Sequence, residues 1–290
     1  MSLLASPRDT DADPDVQIVR RVPGSAELHP RRHSRRRRTI FLILAWGTPI
    51  ALFLIWELTA RSGAIDVRFF PAPSTIWTSG VRAIGSGVLL DAIVATVQKL
   101  VIGYLIGVAI GVLLGLILGM SWIVRAALEN MLVALYTLPK LALFPVFLLI
   151  FGFGDAPQIV LVAVSVFFVV VLSTTTAVGS VEQGYRDAAS VLGANRLQLM
   201  RHVVVPAALP GIATAVRLAA GIGMLVVVGI EMVSGSNGLG YLIYQRSQVF
   251  DPGTMYAAVI CAGLIGVAFT GLVTLALRFI VPQYRTRARR

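Results

Sequence analysis

Residues 187–210, DAASVLGANRLQLMRHVVVPAALP, form the one sizeable interior stretch that is charged and interrupted by turn-forming residues while the sequence around it is apolar. Four apolar runs precede this stretch and two follow it. We interpret the stretch as a surface on which another protein docks. The composition of the rest of the chain indicates what kind of molecule carries that surface.

The composition is that of a membrane protein. Hydrophobic residues make up 57% of the 290 residues and charged residues only 13%, and the mean hydropathy is +0.82. A soluble domain needs more charge than this to cover its surface. The single cysteine, Cys261, lies in an apolar run, so no disulfide framework is possible. We therefore expect an all-α, polytopic membrane protein.

The positive charge is concentrated at the two ends of the chain. The formal net charge is +11, with six arginines between Arg31 and Arg38 and four more in residues 285–290. Because both clusters flank apolar runs, they are typical of topological signals rather than of nucleic-acid binding. We expect residues 1–38 to be a disordered cytosolic tail that also attracts anionic membrane lipid, and residues 285–290 to be a basic cytosolic C-terminus.

Six apolar runs are long enough to cross a bilayer, at residues 40–58, 93–119, 127–151, 157–178, 208–232 and 256–280. Residues 39–69 are expected to be a first, uncleaved span and an outer loop, because a long polar leader precedes them where a signal peptide would have a short one. Residues 70–284 then form a core of five spans with a cytosolic segment at 179–206. Six spans place both termini on one side, and their arginines make that side the cytosol. The path of residues 59–91 stays open.

The second apolar run carries glycine at every fourth position. A step of four residues turns an α-helix by about 400°, so the glycines form one slowly winding groove. Such a groove lets another helix backbone approach closely. We expect a helix-packing role for Gly103, Gly107, Gly111, Gly115 and Gly119.

The third run contains a lysine near its middle, in the sequence Tyr136-Thr137-Leu138-Pro139-Lys140. A cation at the membrane midplane costs about 2.5–3.5 kcal/mol on insertion scales, so it is a functional candidate by default. Tyr136 and Lys140 are therefore candidate residues of a substrate pathway, with Lys140 attracting an anion. The alternative is a lysine that pairs with a carbonyl group or reaches into a cavity.

Several chemistries lack the residues they need. Residues 152–155, GFGD, match a motif of intramembrane aspartyl proteases. Glu129, the carboxylate in the span just before it, sits at the cytosolic edge while Asp155 sits at the outer edge, so the two cannot share a proton. The three histidines lie outside the spans and, with one cysteine, match no metal-ligand spacing. The only lysines, Lys99 and Lys140, do not follow a glycine, so the chain has no P-loop. We expect no catalytic residue, metal or cofactor here; an ATP-driven function would require a cytosolic partner that holds ATP and Mg²⁺.

Residues 182–206 have the pattern of two short helices joined by a turn. Glu182–Leu192 contains good helix formers, and Gly193 suits the left-handed conformation that ends a helix. Asn195 can cap a second helix, Gln198 completes a capping box, and Pro206 is expected to end that helix. Helices this short are marginal alone in water, so they need a surface to pack against. That surface is either a partner protein or the chain's own bundle.

The spacing within this segment is Asp187-Ala188-Ala189, three residues, Gly193, nine residues, Val203, one residue, Val205 and Pro206. It resembles the EAA loop of permease subunits of bacterial ABC importers, which have the type I importer fold. Asp187 replaces the usual Glu, Val203 the usual Ile and Val205 the usual Leu. The resemblance implies that the loop couples to a cleft in an ATPase subunit. The residues implied in coupling are Asp187, Ala188, Ala189, Gly193, Val203 and Pro206.

Further motifs lie at residues 138–145 (LPKLALFP), 151–154 (FGFG), 231–232 (EM) and 238–243 (GLGYLI). They resemble the nitrate, sulfonate, taurine and bicarbonate permease group, whose relatives also serve thiamine-precursor pyrimidines. The resemblance implies a bacterial inner-membrane location, a homodimer of this chain, two cytosolic P-loop ATPase subunits and an extracytoplasmic substrate-binding protein. Glu231 is a candidate contact for that binding protein, or a partner of Arg246, although an isolated acid at a helix end more often has only a structural role.

The function expected from these observations is import of a small, anionic solute by ATP-driven alternating access. A neutral solute such as a thiamine precursor is the alternative within the same class. A channel or exporter without an ATPase would explain the spans but leaves residues 182–206 without a role. A membrane enzyme would need a charged pair or a histidine in the spans, and the sequence indicates neither.

Overall fold

The computed structural model describes residues 30–281, with side chains given from residue 44 onward except at residue 46. These residues form eleven α-helices and no β-strand. The helices are α1 Pro30–Arg61, α2 Pro73–Gly85, α3 Val88–Met120, α4 Trp122–Thr137, α5 Phe144–Phe151, α6 Ala156–Gly179, α7 Gln183–Val191, α8 Arg196–Leu199, α9 Val205–Ser234, α10 Leu239–Gln248 and α11 Pro252–Ile280. A 3₁₀ turn, Lys140–Leu143, precedes α5, and a π-helical turn, Met200–Val204, joins α8 to α9.

The chain divides into two compact units between Trp56 and Glu57. α1 begins at Pro30, so residues 30–38, which the sequence predicts to be disordered, are helical in the structure. A helix can extend here because residues 31–38 contain neither proline nor glycine. Residues 1–29 of the predicted tail and the predicted basic C-terminus, 285–290, lie outside the described residues.

Within the described residues, four helices are long and apolar enough to cross a membrane. They are α3, α6, α11 and the 39-residue helix Arg196–Ser234, which includes α8, the π turn and α9. A bent pair, α4 with Lys140–Phe151, makes a fifth if it counts as one span. The first predicted span, residues 40–58, lies in α1, which is not among these helices, so the count of six stays a prediction.

α3 and α6 pack closely along the five glycines of α3. A Cβ atom at Gly107 would lie 2.5 Å from the carbonyl oxygen of Ala163, and one at Gly119 would lie 2.5 Å from Cβ of Val178. The residues opposite successive glycines advance in the same direction along α6, so the two helices run parallel. α6 therefore occupies the groove that the four-residue spacing predicts.

α9 packs against α3, α6 and α11. Ala219, Ala220 and Val227 are buried on its inner face. The hydroxyl of Tyr104 on α3 donates a hydrogen bond of 2.9 Å to the carbonyl oxygen of Val216 on α9. The Tyr104 ring also packs edge-on against Phe269 of α11. One aromatic side chain thus contacts two other spans.

The third predicted span, residues 127–151, is not a continuous helix. α4 ends at Thr137, and Lys140–Phe151 leaves it at an angle of 90°. Leu138 is extended, with φ −62° and ψ 139°, because a residue before proline is driven out of the helical region. Pro139 therefore turns the chain sharply, and Lys140 lies at the bend instead of within a straight span.

Residues 59–91 follow a defined path that the sequence left open. The carboxylate of Glu57 accepts hydrogen bonds from the backbone N–H and the hydroxyl of Ser74, at 3.0 and 2.8 Å. These bonds hold the start of α2. Further along, α2 packs on α11, where a Cβ at Gly80 would lie 3.3 Å from Cβ of Ala257.

Candidate functional site

The segment from α7 to α8 folds as two helices joined by a glycine turn. Gly193 has φ +79°, the left-handed conformation that residues other than glycine disfavour. Its N–H donates to the carbonyl oxygen of Ser190, and the N–H of Ala194 donates to that of Ala189, both at 3.0 Å. The side chains of Asn195 and Gln198 each accept a hydrogen bond from the other residue's backbone N–H, at 2.8 and 2.9 Å. The predicted capping box is therefore present.

The second helix does not end at Pro206, contrary to the prediction. A π-helical turn carries it into α9, with the N–H of Val205 donating to the carbonyl oxygen of Met200. Pro206 lies in the first turn of α9, and the wider turn before it accommodates the missing N–H and the bulk of the ring. Arg196–Ser234 is consequently one helix that leads from the turn into the bundle.

The tip of this segment is an apolar surface. Val191 and Leu192 are each 87% exposed, and Tyr185 and Leu197 are also exposed. Large apolar side chains grouped at the surface mark an interaction site when they cluster in this way. The described residues therefore leave the tip uncovered.

The predicted coupling residues are distributed around that tip. Asp187 and Ala188 are exposed, and Ala189 is half-buried. The Asp187 carboxylate accepts a hydrogen bond of 2.9 Å from the Gln183 side chain. Val203 and Pro206 are half-buried where the segment joins the bundle, and we call this part of the segment its root. The segment thus has an exposed contact end and an attached root.

The root of the segment is attached to the bundle on both sides. A guanidinium N–H of Arg186 donates a hydrogen bond of 2.7 Å to the carbonyl oxygen of Val178 at the end of α6. Val178 and Val204 are fully buried and Val181 is buried with them in the main core cluster. The root is therefore fixed to the ends of α6 and α9.

Tyr136 and Lys140 contact each other at the bend. The ammonium of Lys140 donates to the carbonyl oxygen of Tyr136 and lies 4.4 Å from the centre of the Tyr136 ring. The Phe168 ring is also near, at 5.8 Å, so two aromatic faces and a carbonyl group stabilise the charge. This is the carbonyl pairing named as the alternative to an anion-attracting lysine, and a pathway role stays a prediction.

Glu231 belongs to a buried polar network at the opposite end of the bundle from the α7–α8 tip. Its side chain is 0% exposed, and Oε1 accepts a hydrogen bond of 3.0 Å from Lys99, which is 1% exposed. The hydroxyl of Thr96 lies 2.9 Å from both carboxylate oxygens. Lys99 donates further to the side chain of Gln158, at 2.9 Å, and to Asn237, at 2.6 Å. Three helices and one loop thus meet at one ion pair.

This network corrects two expectations for Glu231 and one for the spans. A contact with a docked protein needs an exposed carboxylate, and burial removes it from the surface. Arg246 does not pair with it, since Lys99 does, and Arg246 instead lies 3.8 Å from Asp251. The spans also hold a charged pair that the sequence does not indicate. That pair is enclosed and hydrogen-bonded, so it lacks the access that an enzyme active site needs.

The two glycines of the GLGYLI motif let the chain approach Glu231 and the backbone of α9 closely. Gly238 has φ +108°, and a Cβ atom there would overlap that carboxylate. The N–H of Gly240 donates a hydrogen bond of 3.0 Å to Glu231 Oε2, and the N–H of Leu239 donates to Thr96 at 2.8 Å. The start of α10 is therefore fixed on the ion pair.

A cavity of about 660 Å³ lies between α9 and α11. Its lining is apolar except for Thr270, and glycines on both helices leave the space open. The lining residues are Gly221, Met224, Leu225, Val228, Gly229, Met232, Ala262, Gly263, Gly266, Val267 and Thr270. Leu141, next to Lys140, would lie 3.6 Å from a Cβ at Gly229, so the bend packs against α9 at one of the residues that line this cavity.

Comparison with known proteins places these features in context. A family model described as the binding-protein-dependent transport system inner membrane component matches residues 107–286. The chain is 30% identical over 218 residues to the aliphatic sulfonates transport permease protein SsuC of Bacillus subtilis (strain 168), covering 75% of this chain and 79% of the relative. It is 28% identical to the nitrate import permease protein NrtB of Leptolyngbya laminosa, covering 89% and 99%.

A third relative and one solved structure extend the comparison. The chain is 28% identical to the taurine transport system permease protein TauC of Escherichia coli (strain K12), covering 83% of this chain and 91% of the relative. The inward-facing MetNI methionine ABC transporter superposes with a TM-score of 0.58 at 20% identity, covering 68% of this chain and 96% of that chain. At this identity the superposition concerns the fold alone.

Proposed function

Because the chain belongs to the family of binding-protein-dependent transport system inner membrane components, we propose that it is the membrane-spanning subunit of an ATP-driven importer of small anions. Its fold is that of type I ABC importer transmembrane domains, and it is a multi-pass protein of the inner membrane. The similar proteins are named for aliphatic sulfonates, nitrate and taurine. The common chemistry of those solutes is an oxyanion group.

The observation that carries the proposal is the exposed apolar tip of the α7–α8 segment, mounted on a firmly attached root. Val191 and Leu192 lie beside the Gly193 turn with no cover from the described chain. An ATPase subunit with a complementary cleft is the partner that fits such a tip. That subunit supplies ATP and Mg²⁺, since neither lysine of this chain lies in a P-loop sequence.

The continuous helix Arg196–Ser234 is the lever that links the tip to the outer end of the bundle. Its 39 residues correspond to about 58 Å at 1.5 Å per residue. Glu231, near the far end, is bonded to Lys99 on α3 and to the start of α10. Movement of an ATPase subunit at the tip thereby reaches the opposite face, and ATP binding and hydrolysis bias two states of the dimer.

In the membrane, the α7–α8 segment and both termini face the cytosol. The end that carries α2 and α10 faces outward and receives the substrate-binding protein. Two copies of this chain form the transport path, with one ATPase subunit on each tip. Tyr136 and Lys140 border that path at the bend of the third span, where Lys140 favours anionic solutes.

The proposal is tested by co-expressing the chain with its ATPase subunit and its substrate-binding protein. ATP hydrolysis is then measured in lipid vesicles. We expect substrate-loaded binding protein to stimulate hydrolysis. Leu192→Asp places a charge on the exposed tip without disturbing the core, and it should abolish both ATPase attachment and stimulation. Leu192→Met keeps the surface apolar and should retain both. Equal activity of the two variants would remove the tip from the coupling mechanism.

A further inference from the structure

Arg217 is an intramembrane cation that is absent from the pathway residues predicted from the sequence. It lies nine residues into the predicted span 208–232, about 14 Å along the helix from the start of that span. An arginine at this depth is costly unless it faces a cavity, a partner or a ligand. Arg217 is exposed in the described chain, so the core does not enclose it.

Arg217 lines a cavity of about 500 Å³ between α9 and α11, together with Arg278 and two threonines. In the part of the chain that the structure describes, neither arginine forms a salt bridge. α9 and α11 contain one acidic residue between them, Glu231, and Lys99 already pairs with it. Among the described residues, Arg217 and Arg278 therefore have no acidic partner in this cavity.

The remaining polar groups of the cavity also suit an anion. The hydroxyl of Thr274 donates to the carbonyl oxygen of Thr270, at 2.7 Å. The Thr270 hydroxyl makes no hydrogen bond to the described residues, so it is free to donate. A guanidinium presents a planar fork of N–H groups that matches the oxygens of an oxyanion. Two such forks and one hydroxyl thus line this cavity, and none of the residues that line it is acidic.

Thr270 lines this cavity and also the apolar cavity of about 660 Å³ that extends toward Met232. An oxyanion group at Arg217 therefore has adjoining apolar space that a bare inorganic ion would leave empty. We propose that Arg217, Arg278 and Thr270 bind the oxyanion head of an organic anion whose apolar tail occupies the larger cavity. Alkanesulfonates fit this description better than nitrate does. The inference rests on the proposed function, because it assigns a solute-binding site on that transport path.

The test is binding of radiolabelled 1-butanesulfonate to the permease–ATPase complex without the binding protein, in phosphatidylcholine vesicles. We expect saturable binding of the labelled 1-butanesulfonate. Longer alkanesulfonates should displace it better than nitrate does. Arg217→Met should weaken binding at least tenfold, Arg217→Lys less, and Thr270→Val should weaken it while keeping the side-chain shape. Leu218→Ala, the adjacent side chain that lines neither cavity, is the matched control and should bind as the unmodified chain does.

Several results would overturn the assignment. Unchanged binding by Arg217→Met would do so, as would nitrate displacing the label better than alkanesulfonates. Loss of dimer assembly in Arg217→Met and Arg217→Lys, with Thr270→Val binding normally, would make Arg217 an interface residue. Displacement of the label by phosphatidylglycerol in mixed vesicles would assign the site to a lipid headgroup. Stimulated ATP hydrolysis, measured on the same preparations with binding protein added, reports separately on the proposed function.

Discussion

The buried Lys99–Glu231 pair allows a direct test of how the helices are joined in the interior of the protein. Lys99→Met would remove the cation and leave the Glu231 carboxylate at 0% exposure with hydrogen bonds only from Thr96 and Gly240. Breaking a buried pair from one side costs about 3–5 kcal/mol, because the remaining charge is uncompensated. We expect Lys99→Met to lose stability in this range.

The reverse substitution should cost less. Glu231→Gln leaves Lys99 with the oxygens of Gln158 and Asn237 and with the Asp155 carboxylate at 3.8 Å. Lys99 therefore keeps a second, half-exposed anion, whereas the described residues offer Glu231 no second cation. In the double variant the uncompensated charge disappears, so its loss should be about 1–3 kcal/mol smaller than the sum of the single losses.

Equilibrium unfolding in mixed micelles of a mild detergent and dodecyl sulfate measures these differences. Lys140→Met is the matched control, since it removes the only other lysine from a partly exposed position. Its free energy of unfolding should fall by less than about 1 kcal/mol, as for changes at the protein surface. If Lys99→Met and Lys140→Met were equally stable, or the double variant were simply additive, the buried pair would not be the junction that the structure describes.

Three further predictions concern packing, the turn and the bend. Gly107→Ala places a methyl group 2.5 Å from the Ala163 carbonyl oxygen and should lower the free energy of unfolding by about 1–3 kcal/mol in the same measurement. In the control Gly263→Ala the methyl group meets nothing within 4 Å, so stability should not change. Equal effects of the two variants would contradict the α3–α6 contact. Gly193→Val should impair co-purification of the ATPase because the turn has φ +79°, whereas Gly193→Asn, which tolerates this conformation better, should retain most of it; normal binding by the valine variant would count against the turn. Lys140→Met should reduce ATP-driven anion uptake in vesicles without changing stimulated hydrolysis, and unchanged uptake would remove Lys140 from the pathway.

The features that the sequence predicts well depend on neighbours in the chain. The Gly193 turn and the Asn195 capping box involve hydrogen bonds across five residues or fewer, so local propensity decides them. The glycine spacing of α3 likewise predicts a close helix contact because four-residue steps keep one face. Pro206 is the exception, since the π turn before it overrides the rule that proline ends a helix.

The features that the sequence misses join distant parts of the chain. Lys99 and Glu231 are 132 residues apart, and no local pattern connects them. The available signals were a charged residue inside each of two apolar runs and the glycines of residues 238–240 that enclose the carboxylate. The same signal, a charge within an apolar run, also marks Arg217. Which of these charges pair and which face a cavity is decided by helix packing, which periodicity alone does not specify.

Cross-linking at Leu192 tests the central proposal, attachment of an ATPase at the α7–α8 tip, most directly. Because Cys261 is the only cysteine, Cys261→Ala gives a background in which Leu192→Cys can be joined to a cysteine scan of the ATPase cleft. We predict a cross-link in lipid vesicles whose yield changes when ATP is added, and none from Leu272→Cys, an exposed position on α11. An ATPase that co-purifies with the chain yet never cross-links to residue 192 would contradict the proposal.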